Sequence, residues 1–128
     1  MVGAGEVGSY VAARLSGEGN DVVVVDERRD PLSKVERDND VLTVVGDATN
    51  PSTLLEAEAD KAEVLVAVTQ SYKTNLLVCL QVRQARGAES LSTIARIDDP
   101  ELRGPAGRKL REAMGVDLVL DPDEQTAG

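Results

Sequence analysis

At 128 residues, 41% of them hydrophobic, the chain has room for one domain with one core and not for a cofactor domain plus a separate substrate domain. Its 23 acidic against 14 basic residues give a formal charge of -9, which argues against duplex nucleic acid as a partner, because that binding relies on Lys and Arg neutralising phosphates. With no His and one Cys, the chain holds no zinc site, no Cys/His or Ser/His catalytic pair and no internal disulfide of its own.

In chain order, Met1 and Val2 are all that precede a glycine loop, so the first strand is clipped. This strand belongs at the centre of the sheet, and the expectation is that its loss leaves both neighbours unpaired and that the natural chain extends upstream. A helix follows from about Glu6 to Gly17, with Val7, Val11 and Leu15 spaced four apart on one face. Five nearly continuous aliphatic runs come next, at 21–26, 40–47, 62–69, 90–97 and 116–121. Runs apolar on both faces are those of buried parallel strands, and a core of Val, Leu and Ala with two Tyr and no Phe or Trp suits such a sheet.

Between the runs, Asp30-Pro31, Asn50-Pro51 and Asp99-Pro100 each put a capping side chain before a proline at the first helical position. A helix from about Tyr72 to Arg86 ends at Gly87 and carries Cys79 in the apolar setting "NLLVCLQV", which reads as a buried structural thiol. The stretch "GRKLREAMG" forms a last helix closed by Gly115. Alternation of strand and helix with right-handed crossovers gives an α/β fold, a doubly wound parallel sheet of Rossmann-like type in a single domain.

The glycine loop, "GAGEVG", matches G-x-G-x-x-G at Gly3, Gly5 and Gly8. Three glycines in six residues also fit an ordinary turn, so position decides. A helix follows at once, and the next strand ends in Asp26, 18 residues after Gly8, where an acid can accept hydrogen bonds from a ribose. In that reading Gly3 permits the turn, Gly5 lets the backbone approach a pyrophosphate, and Gly8 lets the helix pack on the sheet with its N–H groups aimed at the anion. A carboxylate about 4 Å from a 2′-phosphate is repelled by roughly 4 kcal/mol per charge pair, which favours NAD or an adenosine nucleotide over NADP. Arg28 and Arg29 offset part of that repulsion or sit in a solvated loop, and Glu6 adds a negative charge beside the phosphates while also suiting a helix start. Two more stretches lie at strand C-termini, where ligands of such sheets bind. Gly46 and Asp47 of "GDATNP" fit an adenine pocket, and Thr69 and Gln70 of "TQSYKTN" fit the other side of the nucleotide; each also fits a turn and helix cap.

Taken together, "VGAGEVG", "VVVVD", "VVGDATNPSTL", "VLVAVTQSYKTNLL", "IARIDDPEL" and "GVDLVLDP" resemble the nucleotide-binding N-terminal domain of Trk-type potassium-uptake regulators, the RCK or KTN family, across essentially the whole chain. The resemblance implies a cytoplasmic regulatory subunit, peripheral at the inner face of the cell membrane through a potassium transporter or channel partner. It further implies binding of NAD(H) or ATP/ADP, assembly as a homodimer or higher homo-oligomer, and a conformational change passed to the pore. Carried over, the family's nucleotide contacts fall on Gly3, Ala4, Gly5, Glu6, Val7 and the adjoining Gly8, on Asp26, on Thr69 and Gln70, and on Arg96, with Asp47 as a further contributor. It implies a nucleotide-binding domain over 1–121, with 122–128 beginning a linker helix to a smaller C-terminal domain.

That reading is a sensor that releases its nucleotide unchanged, and not an enzyme. The rival is the cofactor domain of a NAD-dependent oxidoreductase without its substrate domain. Hydride transfer needs a proton donor or acceptor beside the nicotinamide, yet His is absent and neither Tyr10 nor Tyr72 has a Lys four residues later. A NAD-binding sensor unrelated to ion transport shares the same pocket.

Overall fold

The computed structural model describes residues 1–86 and 90–121. The aliphatic runs become five parallel strands: β1 (Val23–Asp26), β2 (Leu42–Val45), β3 (Val64–Ala67), β4 (Ser92–Arg96) and β5 (Leu118–Leu120). Two ladders result, β1-β2 and β3-β4-β5. The N-terminal residues join them, because Val2 bridges in parallel to Val25 on one side and Ala67 on the other. The whole sheet therefore runs β2-β1-Val2-β3-β4-β5, with the chain's first residues at its centre.

The clipped first strand thus behaves differently from the sequence expectation. Its short stub does not leave its neighbours without partners. Val2 N–H donates to Val66 at 2.8 Å, Gly3 N–H to Val25 at 2.8 Å, Val25 N–H to Met1 at 2.8 Å and Val68 N–H to Val2 at 2.9 Å. Three residues suffice because a parallel strand alternates its hydrogen bonds between both neighbours. The terminal ammonium donates to the Val23 carbonyl at 2.9 Å, and burial lowers its pKa from 8.0 to about 6.

Each ladder is shorter than the apolar run that produced it. Val22, Val41, Val68, Leu91, Ile97 and Val116 are buried just outside their strands, so the hydrophobic signal extends past the hydrogen-bonded register. Consecutive Val24 and Val25 fall into different core clusters, which puts one on each face of the sheet. The first cluster joins Ala4 and Ala12 to Leu32 and Val35, under α1 (Glu6–Gly17) and α2 (Arg29–Asp38). The second joins Val2, Val25 and Ala67 to Leu54, under α3 (Pro51–Glu56), and to Leu76, Cys79 and Val82 of α4 (Tyr72–Arg86). Helices therefore cover both faces, as a doubly wound sheet requires. Cys79 is fully buried, and burial pushes its thiol up to about 12. Gly87, expected to end α4, lies outside the described residues, as does the 122–128 segment.

The three proline signals behave unequally. Asp99 caps α5 (Pro100–Arg103) through its side chain, accepting from the amides of Glu101 at 2.9 Å and Leu102 at 3.2 Å. Asn50 occupies the N-cap of α3 without a side-chain bond, its carbonyl accepting from Thr53 N–H at 3.1 Å. Asp30 does not cap at all: α2 begins one residue before it, with Arg28 at the N-cap. The cause is Asp26, whose Oδ1 accepts Arg28 N–H at 2.9 Å and turns the chain into the helix early. The last crossover is also broken rather than continuous. Gly104 and Pro105 end α5, a 3₁₀ turn covers Pro105–Gly107, and α6 runs Arg108–Ala113. A Cβ on Gly107 would lie 2.3 Å from the Leu102 carbonyl oxygen, so the turn closes only with glycine there.

Candidate functional site

The C-terminal ends of the strands open into a crevice of about 290 Å³, lined by Val2, Gly3, Asp26, Arg28, Asp47 and Thr69 among others. It sits where the chain order reverses about the central stub, the switch point at which open α/β sheets bind ligands.

The glycine loop begins at its floor, where Gly3 lines it. Gly3 has φ +108°, a conformation that L side chains rarely adopt, and a Cβ there would lie 3.1 Å from the backbone of Val68 and Thr69. A Cβ on Gly8 would lie 1.9 Å from the Gly3 carbonyl oxygen, which is how closely α1 packs against the loop that feeds it. Gly5 is the opposite case: a Cβ there meets nothing within 4 Å. Gly5 is also the N-cap of α1 and supplies no side-chain hydrogen bond. The start of this 12-residue helix therefore has no side-chain cap and has open space beside its N-cap residue, an arrangement that suits an anion.

Asp26, the last residue of β1, is the acid of the pair. Its Oδ2 accepts Ala4 N–H at 2.8 Å, which ties the strand end to the glycine loop. Its Oδ1 accepts Arg28 N–H at 2.9 Å and Arg28 Nε–H at 3.2 Å. Burial opposes the charge, but the hydrogen bonds from the Arg28 side chain, the Arg28 amide and the Ala4 amide outweigh it and hold the carboxyl below its ordinary range.

Across the crevice, Asp47 accepts from Thr49 N–H at 2.9 Å and Thr49 Oγ1–H at 2.7 Å, and these bonds lower its pKa. Gln81 Nε2–H reaches from α4 to the Thr49 carbonyl at 2.8 Å and fixes that loop. Gly46 fits because a Cβ would meet the Thr53 side chain at 2.9 Å. Thr69 forms the other wall, and its placement depends on Asn75, a residue that the sequence reading did not single out. Asn75 is 0% exposed. Its Oδ1 accepts Thr69 N–H at 3.0 Å and lies 2.7 Å from the Thr69 hydroxyl, while its Nδ2 donates to the carbonyls of Thr69 at 3.1 Å and Arg96 at 2.8 Å. One buried amide thus clamps the ends of β3 and β4 together.

The expected site residues divide into three groups. Gly3, Asp26, Asp47 and Thr69 line the crevice itself. Ala4, Gly5 and Glu6 line the adjoining groove between α1 and α2, and Gly8 packs beneath the loop, next to Val7 in the first turn of α1. Gln70 and Arg96 line neither: Gln70 is exposed, and Arg96 contributes its carbonyl to the Asn75 clamp while its own Nε is buried with no hydrogen-bond partner.

Comparison with known proteins matches residues 1–122 to the TrkA-N domain family. The chain is 36% identical over 125 residues to the Trk system potassium uptake protein TrkA of Vibrio alginolyticus, covering 97% of this chain and 27% of that protein. The chain therefore spans about a quarter of that relative's length. Among solved structures, the TrkA-N domain of the inner membrane protein ybaL from Escherichia coli superposes with a TM-score of 0.82 at 21% identity, covering 98% of this chain and 87% of that one. The GsuK channel bound to NAD superposes at 0.73 with 24% identity, over 94% of this chain and 20% of the channel. These likenesses carry the same doubly wound fold.

Proposed function

Because this chain belongs to the TrkA-N domain family, we propose that it is the nucleotide-sensing unit of a cytoplasmic regulator of a membrane potassium transporter or channel. Residues 1–121 form that unit, and it works as a homodimer or higher homo-oligomer attached to its membrane partner. The ligand is NAD(H), ATP or ADP, and it leaves unchanged. Its effect arises from differential affinity: a nucleotide that fits one arrangement of the assembly better shifts the population by no more than that difference allows.

The observation that carries this reading is the meeting of two features where the crevice adjoins the groove between α1 and α2. The uncapped start of α1 with open space at Gly5 supplies the anion cradle, and Asp26, bonded to Ala4 of the same loop, supplies the ribose acceptor. Asp47 and Thr69 flank the base on either side. The relatives add that one such protein is named for potassium uptake and that a channel of this fold is bound to NAD.

Isothermal titration calorimetry with NAD, NADH, ATP and ADP tests the premise, with micromolar to millimolar binding of at least one expected. Asp26→Asn should weaken NAD more than NADP. No binding of any of the four, or an unchanged NAD to NADP ratio in Asp26→Asn, would remove the reading. Turnover of NADH with carbonyl compounds would replace it with the oxidoreductase.

A further inference from the structure

Asp26 is fully engaged in the structure, and this bears on how a ribose reaches it. A carboxylate offers about four acceptor sites. Two are filled by backbone amides, Ala4 N–H on Oδ2 at 2.8 Å and Arg28 N–H on Oδ1 at 2.9 Å. The other two face the Arg28 guanidinium, with Nε 3.2 Å from Oδ1 and Nη2 3.4 Å from Oδ2. The amides are fixed by the glycine loop and the start of α2. The guanidinium is not: its side chain is 65% exposed, against 9% for that of Asp26. While it stays docked, no acceptor remains for a ribose. Once it leaves, one site opens on each oxygen, the pair that a vicinal diol needs.

A place for the released side chain also exists. Among the described residues, Arg28 alone lines both the crevice and the neighbouring groove of about 1080 Å³ between α1 and α2. That groove borders Gly5 and Glu6 at the start of α1 and is flanked by Arg29 and Lys34. An arginine at this boundary can turn either way without crossing packed core.

We propose that Arg28 is a specificity-determining gate on the ribose acceptor, and that it narrows the preference for a free 2′,3′-diol over a 2′-phosphate that Asp26 alone would impose. This rests on reading the crevice as a nucleotide site. A nucleotide with a free diol must displace the guanidinium from Asp26 before it binds, so its apparent affinity is reduced by the fraction of molecules in which the gate is shut. A 2′-phosphate keeps the guanidinium as its partner, which offsets repulsion from Asp26. One side chain thus opposes the diol and assists the phosphate.

The test is Arg28→Gln in the 128-residue chain, with calorimetry on ADP, NAD and NADP. NAD and ADP should bind about two- to fivefold more tightly in the variant, the range expected for loss of a partly exposed ion pair. NADP should weaken, so that the NAD to NADP ratio widens by about tenfold or more. In an Asp26→Asn background, Arg28→Gln should no longer tighten NAD. Weaker NAD and ADP binding in Arg28→Gln, an unchanged ratio, or the same tightening without Asp26 would each overturn the gate while leaving the nucleotide site in place. No binding of any of the three ligands to either parent or variant would remove the nucleotide reading, and the gate with it.

Discussion

Removing the hydrogen-bonding capacity of Asn75 while keeping its branched shape should destabilise the domain strongly. Asn75→Leu leaves three backbone groups without their partner: Thr69 N–H, the Thr69 carbonyl and the Arg96 carbonyl. Each buried orphan costs about 1–3 kcal/mol. Thr69 and Arg96 are only partly buried, so the low end applies and the sum is about 3 kcal/mol. At about 4 °C per kcal/mol for a domain of this size, the melting midpoint should fall by about 12 °C. Asn75→Asp separates the two halves of the clamp. Its carboxylate keeps the Oδ1 contacts to the Thr69 amide and hydroxyl but points the other oxygen at the Thr69 and Arg96 carbonyls, which raises its folded pKa above an unfolded value of about 3.9. A carboxyl with a raised folded pKa contributes stability that is present below the unfolded pKa and lost as pH rises through the folded one. The Asn75→Asp deficit relative to the parent should therefore be small near about pH 3.5 and large at pH 8, read by circular dichroism melts at matched pH. A fall of under 3 °C in Asn75→Leu, or an Asp deficit independent of pH, would refute the clamp.

Other substitutions separate fold from binding within the glycine loop. Gly8→Ala forces a methyl to 1.9 Å from the Gly3 carbonyl oxygen, backbone against backbone, and should cost about 3 kcal/mol of stability. Gly5→Ala meets nothing within 4 Å, so stability should change by under about 1 kcal/mol while calorimetry shows nucleotide affinity falling; parent-like binding would count against the cradle. The terminal ammonium, lowered from 8.0 to about 6 by burial, binds fewer protons folded than unfolded in that window. Stability should therefore rise between pH 6 and pH 8 by up to about 3 kcal/mol. Adding a few apolar residues before Met1 should raise the melting midpoint and abolish this pH dependence, and a profile that survives the extension would exclude the amine as its source.

The alternation of strands and helices and the doubly wound sheet were legible because buried parallel strands write themselves as unbroken aliphatic runs, and three of the site residues because Asp26, Asp47 and Thr69 stand where those runs end. Strand limits were less so, since Val22, Val68 and Ile97 are buried just beyond the ends of their ladders. The Asp30-Pro31 cap misled because a competing carboxylate, Asp26, had already captured Arg28 N–H. Asn75 was passed over as an ordinary polar helix residue. The signal was its spacing: with Val78, Cys79 and Val82 it shares one buried stripe, and a polar side chain on such a stripe must have partners. The reading of Arg28 stayed divided between offsetting a 2′-phosphate's repulsion and sitting in a solvated loop, because nothing in the one-dimensional pattern shows that its guanidinium folds back on the strand end two residues earlier.

The central stub carries one more implication. Residues 1–3 stitch β1 to β3 and also begin the turn that floors the crevice, so the fastening between the two halves of the sheet and the lip of the binding cleft are the same few peptide groups. Whatever grips that lip also tightens the fastening. Amide hydrogens at Val2, Gly3, Val25 and Val68 should accordingly slow their exchange together when a nucleotide is added, ahead of the edge strands β2 and β5.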